Sequence, residues 1–363
     1  DALYKTEHDP DRYSEAGRKH MEAQNHMMDY VQTHDRRGEL HTGIAILQGR
    51  NDPWNFFGMS SIWHQDGEKW ECGDMISSYQ LFGLYYPWEI SPGAGQGGWN
   101  EFSYSPYGAV DFVPVEAPRD VLGKYKLAVF LGWNTYSRAD FERLRDFVFD
   151  GGTLIMTAAH ANSCLQPDMD PVFSEDDSPL REMLGDDYRD LTGKNVIPFG
   201  AGKTIFYAQK EYPSAESIRE DYLAEMKAQS DLAVASEPEL GWIDAMEGVD
   251  FAIWQDGALR TAYVIDADWY NHQPKQFRLV FGSKAFELEV KPFEFKTIRM
   301  AEGLAVCADS NTSDVLEIKK SPDGWTVTVQ TTEPDRISVY FKESGETRVI
   351  SVASAGIHKV DVL

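Results

Sequence analysis

The residues best suited to touch a ligand are tryptophans set among polar side chains. Trp54, Trp63, Trp70, Trp88, Trp99 and Trp133 account for six of the ten tryptophans and all precede residue 134. They alternate with Arg50, Asn51, Asp52, His64 and Asn134. A flat aromatic face covers the apolar side of a sugar ring, while amides, imidazoles and carboxylates bond its hydroxyls. Trp54, Trp63, His64, Trp70, Trp99, Trp133 and Asn134 are therefore the candidate substrate-binding residues. The same residue types also suit a protein interface, where aromatics are enriched.

Other constellations carry less. An enzymatic nucleophile needs an activating base close to a tight turn. After Thr153–Thr157 come two alanines and His160, and Cys164 follows four residues later without a Gly-x-Cys-x-Gly elbow. His160 as activator of Cys164 is the thiol alternative. Gly95-x-Gly97-Gly98 lacks the strand, the helix and the Lys-Ser/Thr of a phosphate loop. Asp168/Asp170, Glu175–Asp177 and Asp266/Asp268 are acidic clusters without a full calcium-ligand pattern. The three cysteines, Cys72, Cys164 and Cys307, fit neither a disulfide framework nor a zinc pattern. Glycoside hydrolysis needs two carboxyls roughly 5–10 Å apart, and among 59 acidic residues none is singled out. No catalytic residue, metal set or cofactor motif is thus assigned.

These residues need elements to position them. Short, wholly apolar runs at Gly43–Leu47, Leu127–Leu131, Thr153–Thr157 and Thr204–Tyr207 read as strands buried on both faces. Val110–Val115 is a further strand, pushed to a sheet edge by Pro114. Helices are expected over 11–35, Met75–Tyr85, Arg138–Phe149 and Ala215–Met226. In the third of these, Ser137 is the expected cap with Asp140 in a capping-box position. Strand, helix, Gly151-Gly152 and strand spell a parallel crossover. The tryptophan-bearing loops then fall at the carboxyl ends of the strands, where open α/β sheets bind ligands. Beyond residue 236, alternating aromatic and β-branched segments such as Phe251–Gln255, Phe277–Phe281, Trp325–Gln330 and Ile337–Phe341 predict an antiparallel β-sandwich, or two small ones.

The whole chain has 363 residues and a net charge of −25, with 42 % hydrophobic residues. The acidity excludes nucleic acid and anionic membranes as partners, because phosphates are repelled. No apolar run reaches membrane-spanning length. The opening residues carry neither an initiator Met nor a signal-peptide core. They read as part of a longer polypeptide.

Arg36-Arg37-Gly38-Glu39, leading into a GIAIL strand, and KYKLAVFLGWNTYSRADFERLRDFVFDGGTLIMTAAH (Lys124–His160) together carry a resemblance. They resemble the region that follows the catalytic barrel in family-42 β-galactosidases. The resemblance implies an α/β plus all-β chain. A doubly wound, mostly parallel flavodoxin-like sheet, of class I amidotransferase type and used for trimerisation, precedes a β-sandwich. The implied divisions are 1–38 as the last helix of a preceding (β/α)8 barrel, 39–235 as the α/β domain and 236–363 as the β-domain. It further implies a carbohydrate substrate, a homo-oligomer (trimer or dimer) and catalytic glutamates on the absent barrel. Two alternatives stand beside this reading: a stand-alone amidotransferase-like hydrolase using Cys164 and His160, and a non-catalytic carbohydrate-binding protein.

Overall fold

The computed structural model describes residues 38–50, 81–86, 105–163, 178–213, 215–267, 273–292, 294–310, 313–322 and 324–362, with isolated positions between 18 and 32. The helix expected over 11–35 and most of Met75–Tyr85 lie outside these residues. The described residues fall into two compact units. One lies within Thr42–Trp88 and Ala109–Ser236, the other within Asp1–His41, Glu89–Gly108 and Glu237–Leu363.

The first unit is a six-stranded sheet. Its strands are β2 (Ile44–Gln48), β3 (Asp111–Pro114), β4 (Leu127–Phe130), β5 (Thr153–Thr157), β6 (Lys194–Phe199) and β7 (Gly202–Tyr207). The order is β3-β2-β4-β5-β7-β6. Every neighbouring pair is parallel except β6 with β7. Both edge strands contain a proline, Pro114 and Pro198, because an edge tolerates a missing N–H on its open side. Pro114 thus sits where the sequence leads one to expect it. β6 escapes sequence reading because KNVIPF mixes polar residues and a proline into a short apolar run.

Among the described residues the sheet is accompanied by the helices α1 (Arg119–Leu122), α2 (Arg138–Phe149), α3 (Ser178–Leu184) and α4 (Arg219–Val234). Successive strand residues point to opposite faces. Ala45, Leu47, Ala128, Phe130, Leu154, Met156 and Phe206 share a core with Phe141, Leu144 and Phe147 of α2 and Leu180 and Met183 of α3. The intervening Ile44, Ile46, Val129, Ile155 and Ile205 are equally buried on the other face. There Tyr222 of α4 packs its ring 5.0 Å from that of Tyr207. Both faces are covered, which is why the strands read as continuous apolar runs.

α2 starts and stops on Ser137 and the glycine pair, but its start differs from expectation. Ser137 has extended backbone geometry and makes no side-chain capping bond. Asp140 is held elsewhere, as described below. At the other end, Gly151 takes φ +119°, and a Cβ on Gly152 would stand 2.2 Å from the Phe147 ring.

The second unit is all β. Its seven-stranded sheet runs β1 (Glu39–Leu40), β9 (Val249–Asp256), β10 (Leu259–Asp266), β13 (Phe295–Ala301), β14 (Leu304–Ala308), β17 (Asp335–Phe341) and β18 (Thr347–Val352). Two three-stranded sheets accompany it. One comprises β8 (Trp242–Ala245), β11 (Lys275–Phe281) and β12 (Lys284–Val290); the other comprises β15 (Ser313–Ser321), β16 (Gly324–Thr331) and β19 (Gly356–Val362). All pairings in this unit are antiparallel.

The register shows how one sheet serves two cores. Ala305 lies opposite Tyr340, whose ring packs 5.0 Å from Phe286 of β12. Leu304, Val306, Ile337 and Val339 point the other way, into a core with Val315, Val327, Val329 and Val362. The β unit is therefore two sandwiches built on opposite faces of a shared sheet. Glu39–Leu40, grouped with the α/β domain in the sequence reading, pairs instead with Gln255 and Trp254 of β9. Near this edge Arg260 and Glu237, both buried, form an ion pair at 2.5 Å, and His41 approaches the same carboxylate at 3.3 Å. Among the described residues, no helix is long and apolar enough to cross a membrane.

Candidate functional site

In the six-stranded sheet the chain passes from β2 to β3 on one side and then crosses to β4 on the other. The switch point is therefore between β2 and β4, and its carboxyl-end crevice is the general ligand position of such sheets. Here Gln48-Gly49-Arg50 follows β2 and Leu131–Asn134 follows β4.

The two loops are bonded to each other. The Arg50 N–H donates to Asn134 Oδ1 at 2.7 Å, and Asn134 Nδ2 donates to the His160 carbonyl at 2.5 Å. The Thr135 N–H donates to the Arg50 carbonyl at 3.1 Å, and the Tyr136 N–H to the Asn162 carbonyl at 2.5 Å. Gly49 is in its place because a Cβ there would lie 2.1 Å from the Trp133 carbonyl oxygen. Of the candidate substrate-binding residues, Trp133 and Asn134 are the two within the described structure. Trp133 is 3 % and Asn134 1 % exposed. Trp133 thus offers no open face, and the Asn134 amide is engaged with the backbone. Trp54, Trp63, His64, Trp70 and Trp99 lie outside the described residues.

His160 is the third anchor of the crevice. It sits on a 3₁₀ turn, Ala158–Ala161, whose cap is reciprocal between Thr157 and His160. Nδ1 accepts the Thr157 N–H at 2.8 Å. That leaves Nε2 as the protonated nitrogen, donating to the Gly132 carbonyl at 3.1 Å. The ring stacks 4.5 Å from Phe130. Burial without an anionic partner lowers its pKa from 6.5 to about 3. This corrects the thiol alternative on the histidine's side. Both ring nitrogens are occupied by the chain, so His160 has no lone pair to offer a nucleophile. Cys164 lies outside the described residues.

The charges at the rim also face one another. The Arg50 guanidinium grips Asp140 through Nε at 2.7 Å and Nη2 at 3.1 Å, and Arg143 Nη1 donates to the same carboxylate at 2.7 Å. Asp140 is 1 % exposed. Glu116 lies 3.7 Å from Arg50. Sequence spacing could not find this pair, because 90 residues separate its members.

A cavity of about 250 Å³ lies beyond the adjacent ends of β5 and β7. Met156, Phe206 and Ala208 contribute from the strand ends, and Leu180, Leu184 and Tyr188 from α3 and the turn after it. The sequence reading missed it. The only local signal was Leu180 and Leu184 four residues apart, one face of a short helix; Tyr188 reaches the cavity from the separate turn that follows. Among the described residues, no group of three or more His, Cys, Asp or Glu side chains is arranged to hold a metal ion. Asp168, Asp170, Glu175–Asp177 and Asp268 lie outside the described residues.

No family model matches the chain. No curated protein matches it either. Among solved structures, it is similar to Gan42B, a GH42 beta-galactosidase from G. stearothermophilus, at 15 % identity and TM-score 0.42, covering 77 % of this chain and 42 % of that one. It is similar to the beta-galactosidase from Bacillus circulans sp. alkalophilus at 13 % identity and TM-score 0.43, covering 76 % and 44 %. An exo-carrageenase GH42 from Bacteroides ovatus aligns at 13 % identity and TM-score 0.37, covering 77 % and 31 %. This chain spans less than half the length of each of these structures.

Proposed function

We propose that this chain is a non-catalytic portion of a glycoside hydrolase. In this reading it serves the enzyme's assembly and the margin of its sugar site, and the hydrolytic glutamates stand on a barrel outside this sequence. The observation that carries the reading is the laced crevice. Asn134, His160 and Asp140 each spend their polar atoms on the chain itself, where a catalytic sheet would aim them outward. The strand order supports a flavodoxin-like domain of amidotransferase type. So does the position of the Lys124–His160 motif, which supplies β4, α2, β5 and the His160 turn.

The partners follow from the same reading. A neutral carbohydrate suits a chain of net charge −25. Trp54, Trp63, His64, Trp70 and Trp99 are the residues proposed to meet it, with Trp133 and Asn134 as internal supports. For homo-oligomer contact we point to the end of α2. Phe149 is 55 % exposed there and meets Phe199 of edge strand β6 edge-on at 5.5 Å. Exposed aromatics of this kind suit an interface. Light scattering on the chain tests the assembly: the reading predicts two or three times the 41.1 kDa subunit mass. A monomer at all accessible concentrations contradicts it.

A further inference from the structure

Ser105-Pro106-Tyr107-Gly108 has the composition of a β-turn, with proline presetting φ at the second position and glycine at the fourth. The Gly108 N–H donates to the Ser105 carbonyl at 3.2 Å, and the Tyr107 N–H donates to Ser105 Oγ at 3.2 Å. Gly108 takes φ +69°, and a Cβ there would stand 2.8 Å from the Phe251 ring of β9. The turn is therefore seated on β9, with Ser105 and Tyr107 both buried. Along the chain it follows the stretch that carries Trp88 and Trp99.

Asp250 of β9 is enclosed by this contact. Its Oδ1 accepts the Phe251 N–H at 2.8 Å, and its carboxylate also accepts the Ser105 N–H. Both donors are neutral. Ile265 stands directly opposite on β10. Among the described residues, the titratable groups on the elements around it are Glu247 in the turn before β9, Tyr263 and Asp266 on β10, and Tyr107 in the covering turn. None of them is a cation. An enclosed carboxylate with only neutral donors loses more hydration than those donors restore, and burial pushes the Asp250 carboxyl up from 3.8 to about 6. The closed turn thus retains a proton that the hydrated side chain would release. Closure is favoured as pH falls through 6, and opening to water is favoured as pH rises above the hydrated value of 3.8.

We propose that Asp250 is a proton-operated catch on the turn 105–108, closing it against β9 when protonated and favouring its opening when ionised. Opening gives the carboxylate back its water, and Gly108 leaves the Phe251 ring. The catch is independent of the glycoside-hydrolase reading.

Hydrogen–deuterium exchange of the full chain, read on the amides of Ser105, Tyr107 and Gly108, tests the proposal. Strand β16 of the same unit is the reference. Corrected for intrinsic exchange, protection of the turn falls by more than about tenfold between about pH 4.5 and 7, while that of β16 does not. Asp250→Asn, neutral at every pH and of the same shape, removes the dependence. Asp250→Ser keeps an acceptor oxygen without a charge and serves if the amide variant does not fold. Constant protection of the turn across this range, a loss shared equally by β16, or a pH dependence that persists in the variant overturns the proposal.

Discussion

His160 shows how a residue type that suggests catalysis can be committed to structure. Its folded pKa, about 3, lies below its ordinary 6.5, so the folded state excludes a proton that the unfolded chain accepts. The contribution is fully present above about pH 6.5 and is lost as pH falls toward 3, at up to about 1.4 kcal/mol per pH unit. Urea denaturation at a series of pH values reads this slope. We expect His160→Gln to flatten the curve between pH 6.5 and 4 by close to one proton's worth; an unchanged slope means that the imidazole is not the buried neutral group described here. The sequence offered His160 and Cys164 as neighbours along the chain. It carried no sign that the ring would turn inward to Gly132, because that partner is 28 residues away.

α2 is the element that the sequence predicted most fully, and it also shows where local rules stop. The stripe of Phe141, Leu144, Phe147 and Val148 and the Gly151-Gly152 stop fixed its span, since both depend on residues within one or two turns. The capping box failed because Asp140 has a better, non-local partner. Its carboxylate lies buried between Arg50 and Arg143, and three charge-assisted hydrogen bonds outweigh one bond to a backbone N–H. Two substitutions separate the accounts. Ser137→Ala, which removes no capping bond, costs less than about 0.5 kcal/mol, against the roughly 1 kcal/mol of a working cap. Asp140→Asn, which unpairs Arg50 at the crevice rim, costs about 2 kcal/mol. Thermal or chemical denaturation measures both, and the reverse ranking refutes the assignment. The β unit was legible in the same local sense. Alternating Phe277–Phe281 and Ile337–Phe341 announced strands. That one sheet would bury opposite faces in two cores depends on the pairing of Ala305 with Tyr340, which no local pattern records.

At the scale of the whole molecule, the proposed role is that of a non-catalytic portion of a glycoside hydrolase. Composition already excluded polyanionic partners, and the apolar runs followed by alternating segments gave an α/β part and then an all-β part along the chain. The closure of the crevice was not legible, because it rests on Gly49 meeting the Trp133 carbonyl, a contact that only the folded sheet creates. If the exposed end of α2 is an assembly surface, Phe149→Glu shifts the light-scattering mass toward 41.1 kDa without loss of secondary structure. An unchanged mass moves the interface elsewhere. The central claim, that the hydrolytic machinery lies outside this sequence, is met most directly by assaying the purified 363-residue chain on a chromogenic aryl β-galactoside. The account predicts no turnover above the buffer rate. Turnover that disappears on substituting a carboxylate within this chain would contradict it.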